Sequence, residues 1–303
     1  MGNIDFENIL LQFGVIDTSA ITQVYKSAWN IGDEYVLKSN ANLNELIKSI
    51  RLAELLFSEN IPVIEYIGAI NGEQYVFAED KYWCLMKRIK GTVFDPFIGE
   101  PKSNGVILGR AVAALHKALK NIENKVELRE ADFCNELSSW ILPEIEKNGL
   151  LFTDGMVESL QNFFEHDYKK LPRQPIHRDI HTSNLLFENN VLSGYLDFDL
   201  SQRNVRIWDM VYLGCSQLIE NYTDKARLII WRDIFSGILR GYNELLPLRE
   251  EEIKAIPILF VFDEVLFTAY YLKIGQLETA KSCMEMVNWL YENIEELVQG
   301  GFM

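Results

Sequence analysis

The hydrophobic positions of the first ninety residues come in short runs separated by turn formers, a pattern typical of strands. Five runs rich in β-branched and aromatic side chains are predicted strands: residues 21–28, 34–39, 66–70, 74–78 and 83–89. Turn formers at residues 29–33 join the first two runs, and Asn71-Gly72 joins the next two. Because such turns close antiparallel pairs, each of these two pairs is a predicted hairpin.

One helix interrupts these strands. Asn42 can cap a helix whose apolar positions mostly follow helical spacing over residues 43–56. Ile61-Pro62-Val63 ends it, because the residue before a proline disfavours the helical conformation.

After Pro101 the spacing of the apolar positions becomes helical. Helices are predicted over residues 106–121, 136–147 and 155–170, and four helical stretches fill residues 208–299, with breaks near Asn221, Leu246-Pro247 and Gly275. Between the two helical groups lies a short β-like segment, residues 175–200. The order predicts an α+β protein in which a small sheet-plus-helix lobe is followed by a larger helical lobe, with a boundary near residue 90.

The charge balance narrows the classes of partner. The chain has 303 residues, with 29 Lys and Arg against 44 Asp and Glu, and a formal net charge of -15. Such an acidic surface repels phosphates, so a general nucleic-acid-binding role is disfavoured. It is compatible with a cationic small molecule, although solubility alone also explains it.

Cysteine spacing and the apolar runs indicate a soluble, cytoplasmic protein. The four cysteines contain no C-x-x-C pair and no zinc-site spacing, so free thiols are expected. No basic region precedes an apolar stretch at the start of the chain, which predicts no signal peptide. The longest apolar run, residues 256–262, contains Pro257 and ends at Asp263, so no membrane span is expected.

Three oxygen-bearing side chains indicate a metal site. Asp179 and Asn184 lie five residues apart in a polar loop, and Asp197 ends the arm of a hairpin that turns at Asn189-Asn190. The hairpin can bring Asp197 back to its open end, next to the polar loop that contains Asp179 and Asn184. Carboxylate and amide oxygens suit Mg²⁺ rather than a softer metal, and magnesium with open positions usually acts on phosphates.

Residues 177–184, His-Arg-Asp-Ile-His-Thr-Ser-Asn, and residues 196–199, Leu-Asp-Phe-Asp, resemble the catalytic motifs of the aminoglycoside phosphotransferase and choline kinase superfamily. The sequence departs from the family pattern at Arg178, where glycine is typical, and at Thr182, where proline is typical. The resemblance implies a bilobal protein-kinase-like fold. Residues 1–90 would form the ATP-binding lobe with a hinge at about 86–91, and residues 92–303 the helical lobe with the catalytic loop, Asp197 and the acceptor pocket.

The resemblance also implies the roles of the catalytic residues. Asp179 matches the catalytic aspartate that orients the acceptor hydroxyl and can accept its proton. Asn184 and Asp197 match the two magnesium ligands.

The neighbouring polar residues receive supporting roles from the same resemblance. His177 and His181 are interpreted as structural, and Asp209 matches an aspartate that braces the catalytic loop. Asp199 has two interpretations of equal weight, either beside a second metal ion or facing solvent.

The first lobe is then expected to bind ATP. Lys38, within Val-Leu-Lys, matches the lysine that contacts the α- and β-phosphates, and its ion-pair partner is expected to be a glutamate of the next helix, Glu45 or Glu54. No G-x-G-x-x-G loop is present, and Thr18 and Ser19 are expected to cover the phosphates in its place.

Residues 85–91 resemble the hinge. The match implies that the backbones of Lys87 and Ile89 contact the adenine and that Met86 lies at the back of its pocket.

The acceptor is expected to be a small molecule. Only 12 positions separate Asp197 from Asp209, with no Ala-Pro-Glu signal, which leaves little room for a peptide-docking segment. The hypothesis is an ATP- and Mg²⁺-dependent kinase of a small-molecule hydroxyl: an amino alcohol, an aminoglycoside-like molecule or a sugar. The alternative is a catalytically silent kinase-fold protein that binds a nucleotide or a partner. Acids and aromatics that could hold a cationic acceptor are Glu220, Asp224, Asp263, Glu264, Trp231, Tyr242, Tyr270 and Tyr271.

Overall fold

The computed structural model describes residues 4–16, 20–219 and 221–299. Thr18, Ser19 and Glu220 therefore lie outside the described residues. The described chain divides into two compact units. The first contains residues up to Phe94 together with Asn124–Glu127 and Ser183–Asp199, and the second contains Asp95–Glu123, Leu128–Thr182 and the residues from Leu200 onward.

The first unit is built on an antiparallel sheet of six strands. These are β1 (Ile21–Tyr25), β2 (Ala28–Ile31), β3 (Tyr35–Asn40), β4 (Tyr66–Ile67), β5 (Val76–Ala78) and β6 (Lys81–Lys87). The order is β1-β2-β3-β6-β4, and β5 also pairs with β6. Two helices accompany the sheet, α1 (Phe6–Leu11) and α2 (Leu43–Ser58).

The first predicted hairpin has the wrong turn. Residues 29–31 form part of β2 rather than a turn, so three strands stand where two were predicted. Trp29 and Ile31 are buried, and Trp29 packs 5.3 Å from the ring of Trp83. Burial of these large side chains outweighs the local turn preference of Asn30. Gly32, with a φ of 56°, does form a turn, between β2 and β3.

The second predicted hairpin is also wrong, although its turn is present. Gly72 N–H donates to the carbonyl of Ala69 at 2.9 Å, closing a turn around Asn71-Gly72. The flanking strands β4 and β5 do not pair with each other, because both pair with β6. A longer central strand therefore takes up the hydrogen bonds that a hairpin would have used.

Helix α2 begins where the sequence predicts. The side chain of Asn42 accepts hydrogen bonds from the backbone N–H groups of Asn44 and Glu45, which satisfies donors that have no partner within the helix. Its apolar face packs Leu46 and Ile50 against residues of β6. The helix is therefore fixed to the back of the strand that leads to the predicted hinge.

The hairpin that follows the catalytic loop groups with the first unit. Strands β9 (Leu185–Glu188) and β10 (Val191–Tyr195) join β7 (Thr92–Val93) in a three-stranded sheet. Asn189 and Asn190 have φ values of 53° and 60°, as a tight hairpin turn requires. Tyr195 N–H donates to the carbonyl of Pro62 at 2.9 Å. The prediction of a single boundary near residue 90 is therefore wrong, because strand pairing returns residues 183–199 to the first unit.

The second unit is mostly helical. Its helices are α3 (Pro101–Asn121), α4 (Phe133–Glu136), α5 (Leu142–Lys147), α6 (Met156–Asn162), α7 (Ile207–Leu218), α8 (Lys225–Leu245), α9 (Glu250–Lys273) and α10 (Leu277–Gln299). Two π-helical turns, Leu137–Ile141 and Phe163–Asp167, interrupt the predicted regular helices, and β8 (Arg173–Ile176) pairs with β11 (Gln202–Val205). The four predicted C-terminal helices and their breaks are confirmed.

Helix α9 lies in the core of this unit. By length and composition it could cross a membrane, with a mean hydropathy of 1.6 over its most apolar window, but 72% of that window is buried inside the molecule. That burial is expected of a core helix in a folded domain.

Candidate active site

The catalytic loop is anchored by a buried carboxylate at the start of α7. Asp209 Oδ2 accepts a hydrogen bond from the His177 N–H, and Oδ1 accepts one from the Arg178 N–H, both at 2.8 Å. Asp209 is fully buried. Arg178 has a φ of 73°, a conformation that costs energy for any residue with a Cβ. The carboxylate therefore holds a strained backbone turn, as its bracing role predicts.

A second buried residue, His116 on α3, supports Asp209. Its Nε2 lies 2.9 Å from Asp209 Oδ2, and its Nδ1 lies 2.9 Å from the hydroxyl of Tyr242. Sequence reasoning missed His116. The available signal was a lone histidine in the apolar repeat of a long helix, which usually indicates no more than a buried hydrogen-bonding group.

Asp179 is held by a tyrosine that the sequence did not single out. Tyr212 OH donates to Asp179 Oδ1 at 2.6 Å, and His181 Nε2 lies 3.9 Å from Asp179 Oδ2. Asp179 N–H donates to His177 Nδ1 at 3.3 Å, which fits the structural interpretation of His177. Burial, the hydrogen bond to Asp179 and the charge of Asp179 all raise the pKa of Tyr212. The phenol therefore stays protonated and acts as a donor that orients the carboxylate.

Asn184 and Asp197 lie at the same end of the β9–β10 hairpin. Leu196 N–H donates to the carbonyl of Asn184 at 2.9 Å, so the residue before Asp197 is paired directly with Asn184. Asp197 itself has a φ of 58°, and strained backbone of this kind often occurs at functional sites. Both residues belong to the first unit, whereas Asp179 belongs to the second.

Lys38 lies against the carboxylates that follow β10. Its Nζ is 3.6 Å from Asp197 Oδ1 and 2.6 Å from Asp199 Oδ2. Burial alone would lower the pKa of Lys38, but the charges of Asp199 and Asp197 outweigh it and raise the pKa. The lysine is therefore a stable cation beside two carboxylates, an arrangement suited to phosphates and a metal ion.

The expected glutamate partner of Lys38 is wrong in this structure. Glu45 pairs with Lys48 at 3.1 Å, and Glu54 pairs with Arg51 at 3.5 Å. Asp199 takes the place of the glutamate, and Ser49 Oγ donates to Asp199 Oδ1 at 3.2 Å from the same helix. Glu45 lies in the first turn of α2, where its nearest cation is Lys48, one helical turn further on.

The predicted hinge residues end strand β6. Met86 is buried against the helix side of the sheet. Lys87 N–H donates to the carbonyl of Glu65 at 2.9 Å, so that donor is already used within the chain. The expected adenine contacts therefore narrow to the carbonyl of Lys87 and the backbone of Ile89.

A cluster of acids and thiols joins α9 to α7 and α10. Asp263 and Glu264 are each 2% exposed, and the Cys215 thiol lies 3.4 Å from Glu264 Oε1. Burial raises the pKa of Glu264 to about 7, although the Cys215 and Cys283 thiols act in the opposite direction. Within the described part of the chain, Asp263 Oδ1 and Glu264 Oε2 have no hydrogen-bond partner.

Comparison with known proteins identifies the family of this chain. The model of the phosphotransferase enzyme family (APH) matches residues 19–248. The chain belongs to this family. The phosphotransferase is thus a small-molecule kinase with a kinase-like fold, as the catalytic-loop residues indicate.

Among curated proteins, the phosphotransferase is similar to a homoserine kinase of Zymomonas mobilis. The two are 25% identical over 232 residues, which span 73% of this chain and 68% of that protein. Shorter matches to further homoserine kinases span 50% of this chain and 46% to 48% of theirs.

Solved structures share the fold at low sequence identity. An amicoumacin kinase in complex with AMP-PNP, Ca²⁺ and Ami superposes with a TM-score of 0.68 at 15% identity, covering 97% of this chain and 94% of that chain. A microcompartment-associated aminopropanol kinase superposes with a TM-score of 0.70 at 14% identity, covering 98% and 97%. The bilobal protein-kinase-like fold implied by the motifs is therefore confirmed.

Proposed function

We propose that this phosphotransferase transfers the γ-phosphate of ATP to the hydroxyl of a small amine-bearing alcohol, with Mg²⁺ as the metal. The observation that carries the proposal is the group formed by Lys38, Asp197 and Asp199, in which one ammonium lies within 3.6 Å of two carboxylates. An ammonium beside two carboxylates can bind phosphates through the ammonium and a divalent cation through the carboxylates.

The donor set fits magnesium. Asn184 and Asp197 offer hard oxygen ligands, and Asp199 adds a further carboxylate beside them. When bound, the ion would neutralise charge on the phosphates. Lys38 would exchange a carboxylate for phosphate oxygens, and Thr18 and Ser19 remain our proposal for covering them.

Asp179 would act on the acceptor. Its carboxylate is oriented by the Tyr212 hydroxyl at 2.6 Å, so it can accept a hydrogen bond from the alcohol and take its proton as the phosphate bond forms. A silent protein has no chemical need for Asp179, Asn184, Asp197 and Lys38 together, which favours an active kinase over the alternative.

The names of the relatives support a small amine-bearing alcohol as the acceptor. Several relatives carry the name homoserine kinase, and one structural neighbour is an aminopropanol kinase. Both names describe alcohols with an amine, which suits the formal net charge of -15. The proposal includes a cytoplasmic location, which is consistent with the four free thiols.

The experiment is an Asp197→Ala variant assayed for phosphoryl transfer and for Mg²⁺-dependent ATP binding. We expect turnover to fall below detection and the Mg²⁺-dependent part of ATP affinity to be lost, because the metal loses a ligand. The control is Asp167→Ala, which removes an exposed carboxylate paired with Lys170 at 2.8 Å. Wild-type turnover and binding in Asp197→Ala would remove Asp197 from the metal site.

A further inference from the structure

We infer that Cys215, Asp263 and Glu264 form a structural zinc site in the core of the second unit, apart from the proposed magnesium site. Cys215 lies in α7, and the two acids are neighbours in α9. The inference does not depend on the proposed function, because it concerns how these two helices are held together. Local spacing in the sequence predicts no zinc site, because the thiol and the acids come from helices that are distant in the chain.

The first step is the spacing of the ligand atoms. The Cys215 Sγ, one carboxylate oxygen of Asp263 and one of Glu264 all lie within 4.8 Å of one another, and Cys215 Sγ lies 3.4 Å from Glu264 Oε1. Bond lengths of about 2.0 to 2.3 Å place the ligands of a tetrahedral zinc ion roughly 3.3 to 3.8 Å apart. The thiol and Glu264 therefore already have the spacing of zinc ligands, and Asp263 needs to move by no more than about 1 Å to reach it.

The second step is the unmet hydrogen-bonding capacity of the two acids. Both are 2% exposed. Asp263 Oδ1 and Glu264 Oε2 have no hydrogen-bond partner among the described residues, and no lysine, arginine or histidine of those residues forms a salt bridge with either acid. Buried carboxylates are normally paired with a cation or coordinate a metal ion. Since the described chain supplies no paired cation, a metal ion is the group that would satisfy both acids.

The third step is the choice of ion. A thiolate ligand favours Zn²⁺ and disfavours Mg²⁺ and Ca²⁺, which prefer oxygen ligands. A divalent ion would neutralise two of the three negative charges that Cys215, Asp263 and Glu264 carry as ligands. The Cys283 thiol of α10 also forms a hydrogen bond with Glu264, and a neighbour of this kind orients a ligating carboxylate.

Without a metal ion, protons take its place in the cluster. Burial raises the pKa of Glu264 to about 7, and it also raises the pKa values of Asp263 and Cys215. Zinc binding would displace these protons. Metal-free protein, treated with a chelator, is therefore the reference state for measurements on Glu264, including the dependence of stability on pH.

The site would stabilise the helix that orients the catalytic loop. Helix α7 carries Asp209, which holds the backbone of the loop, and Tyr212, which donates to Asp179. Cys215 follows Tyr212 by about one helical turn. A zinc ion on Cys215 would therefore fix this part of α7 against α9, and its main effect should be on the stability of the second unit.

The test is metal binding by the whole protein in excess Mg²⁺, which occupies the proposed catalytic site. After chelator treatment, addition of Zn²⁺ and desalting, we expect one zinc ion per chain by elemental mass spectrometry. At a free Zn²⁺ concentration about 100 times its Kd, Tm should rise by about 5 °C or more. Co²⁺ in place of zinc should give the near-ultraviolet charge-transfer band of a cobalt thiolate.

Three variants and a control locate the metal. Cys215→Ser removes the thiolate, so the charge-transfer band and the zinc-dependent rise in Tm should both disappear. Asp263→Asn and Glu264→Gln replace each acid by a neutral group of the same shape, which suits the metal-free fold, and each should weaken zinc binding by at least about 100-fold. The matched control is Cys134→Ser in α4, a free thiol outside the cluster, which should bind zinc as the wild type does.

The outcomes separate the zinc site from the proposed function. A wild type that retains no zinc and gives no cobalt band would overturn the inference and leave a protonated cluster. Zinc binding that is unchanged in Cys215→Ser and Glu264→Gln would also overturn it, because the metal would then lie elsewhere. Both results leave the proposed kinase activity intact, whereas absence of phosphoryl transfer and of Mg²⁺-dependent ATP binding would overturn the proposed function and not the zinc site.

Discussion

At the scale of single residues, the charged side chains of the candidate site form two separate groups. Lys38 lies with Asp197 and Asp199, and Asp179 lies with Tyr212. The first group suits phosphates and a metal, and the second suits an alcohol. We therefore expect nucleotide binding and acceptor chemistry to respond to different substitutions.

Replacement of Asp179 by asparagine tests this division. Asp179→Asn keeps the shape but loses the charge and the basicity, and losses of this kind cost about 10²- to 10⁴-fold in kcat. ATP·Mg²⁺ dissociation, measured by titration calorimetry, should change by less than about tenfold. Wild-type turnover would remove the catalytic role, and loss of ATP binding would place Asp179 in the metal site.

Tyr212→Phe removes only the hydroxyl that donates to Asp179. A hydrogen bond to a charged group is worth about 1.5–3 kcal/mol, so kcat should fall by at least about tenfold while ATP affinity is retained. Tyr291→Phe is the matched control, because it removes a hydroxyl that lies 3.0 Å from Ser159 Oγ rather than beside a candidate site residue. Similar kcat values in the two variants would show that the Tyr212 hydroxyl does not contribute to turnover.

At the scale of elements, helices α3 and α8 pack with their backbones in direct contact. A Cβ added at Gly105 would lie 2.0 Å from the carbonyl oxygen of Ile234, and one at Gly109 would lie 2.0 Å from that of Ile238. Two glycines of α8, Gly237 and Gly241, meet α3 in the same way. The contact matters for the site because α3 carries His116, which holds Asp209.

We expect Gly109→Ala to destabilise the protein by about 3 kcal/mol, because a backbone atom cannot easily move aside and overpacking strains the helix pair. Helix propensity alone would favour alanine by about 1 kcal/mol, so the sign of the change in unfolding free energy shows which of the two effects is larger. The measurement is the free energy of unfolding in urea.

The control for this prediction is Gly68→Ala. No atom lies within 4 Å of a Cβ at Gly68, so the free energy of unfolding should change by less than about 1 kcal/mol. A stabilised Gly109→Ala variant would show that the two helices separate without cost.

At the scale of the whole molecule, the buried acids make stability depend on pH. Burial raises the pKa of Glu264 from 4.5 to about 7. A raised pKa means that the folded state holds a proton that the unfolded state releases. The contribution of Glu264 is therefore fully present below pH 4.5 and is lost as pH rises through about 7.

Between pH 5.5 and pH 8, we expect the wild type to lose on the order of 2 kcal/mol of unfolding free energy more than Glu264→Gln does. Glutamine keeps the neutral shape at both pH values. The surface variant Glu278→Gln, at a side chain 87% exposed, should retain the wild-type dependence. Parallel pH profiles in the wild type and Glu264→Gln would show that Glu264 does not hold the proton.

Much of the candidate site could be predicted from sequence because its chemistry is local. The proposed oxygen ligands Asn184 and Asp197 are joined by a hairpin with an Asn189-Asn190 turn, and a turn between two strands fixes which residues meet. Asp179 follows from its fixed spacing to Asn184. The helices after residue 200 follow from long apolar repeats, which packing cannot easily reverse.

Contacts between distant segments were decided only by the tertiary structure. Asp199 rather than Glu45 became the partner of Lys38, and Tyr212 of helix α7 reached Asp179 of the catalytic loop. Residues 29–31 form a strand in which Trp29 and Ile31 are buried, and β4 and β5 each pair with β6 rather than with each other.

The sequence by itself determined which chemical groups this protein carries and the short-range spacing between them, because turns, caps and apolar repeats act over a few residues. The tertiary structure alone decided which charges meet, such as Lys38 with Asp199. Side chains far apart in sequence pair according to burial and space, and neither is visible in local spacing.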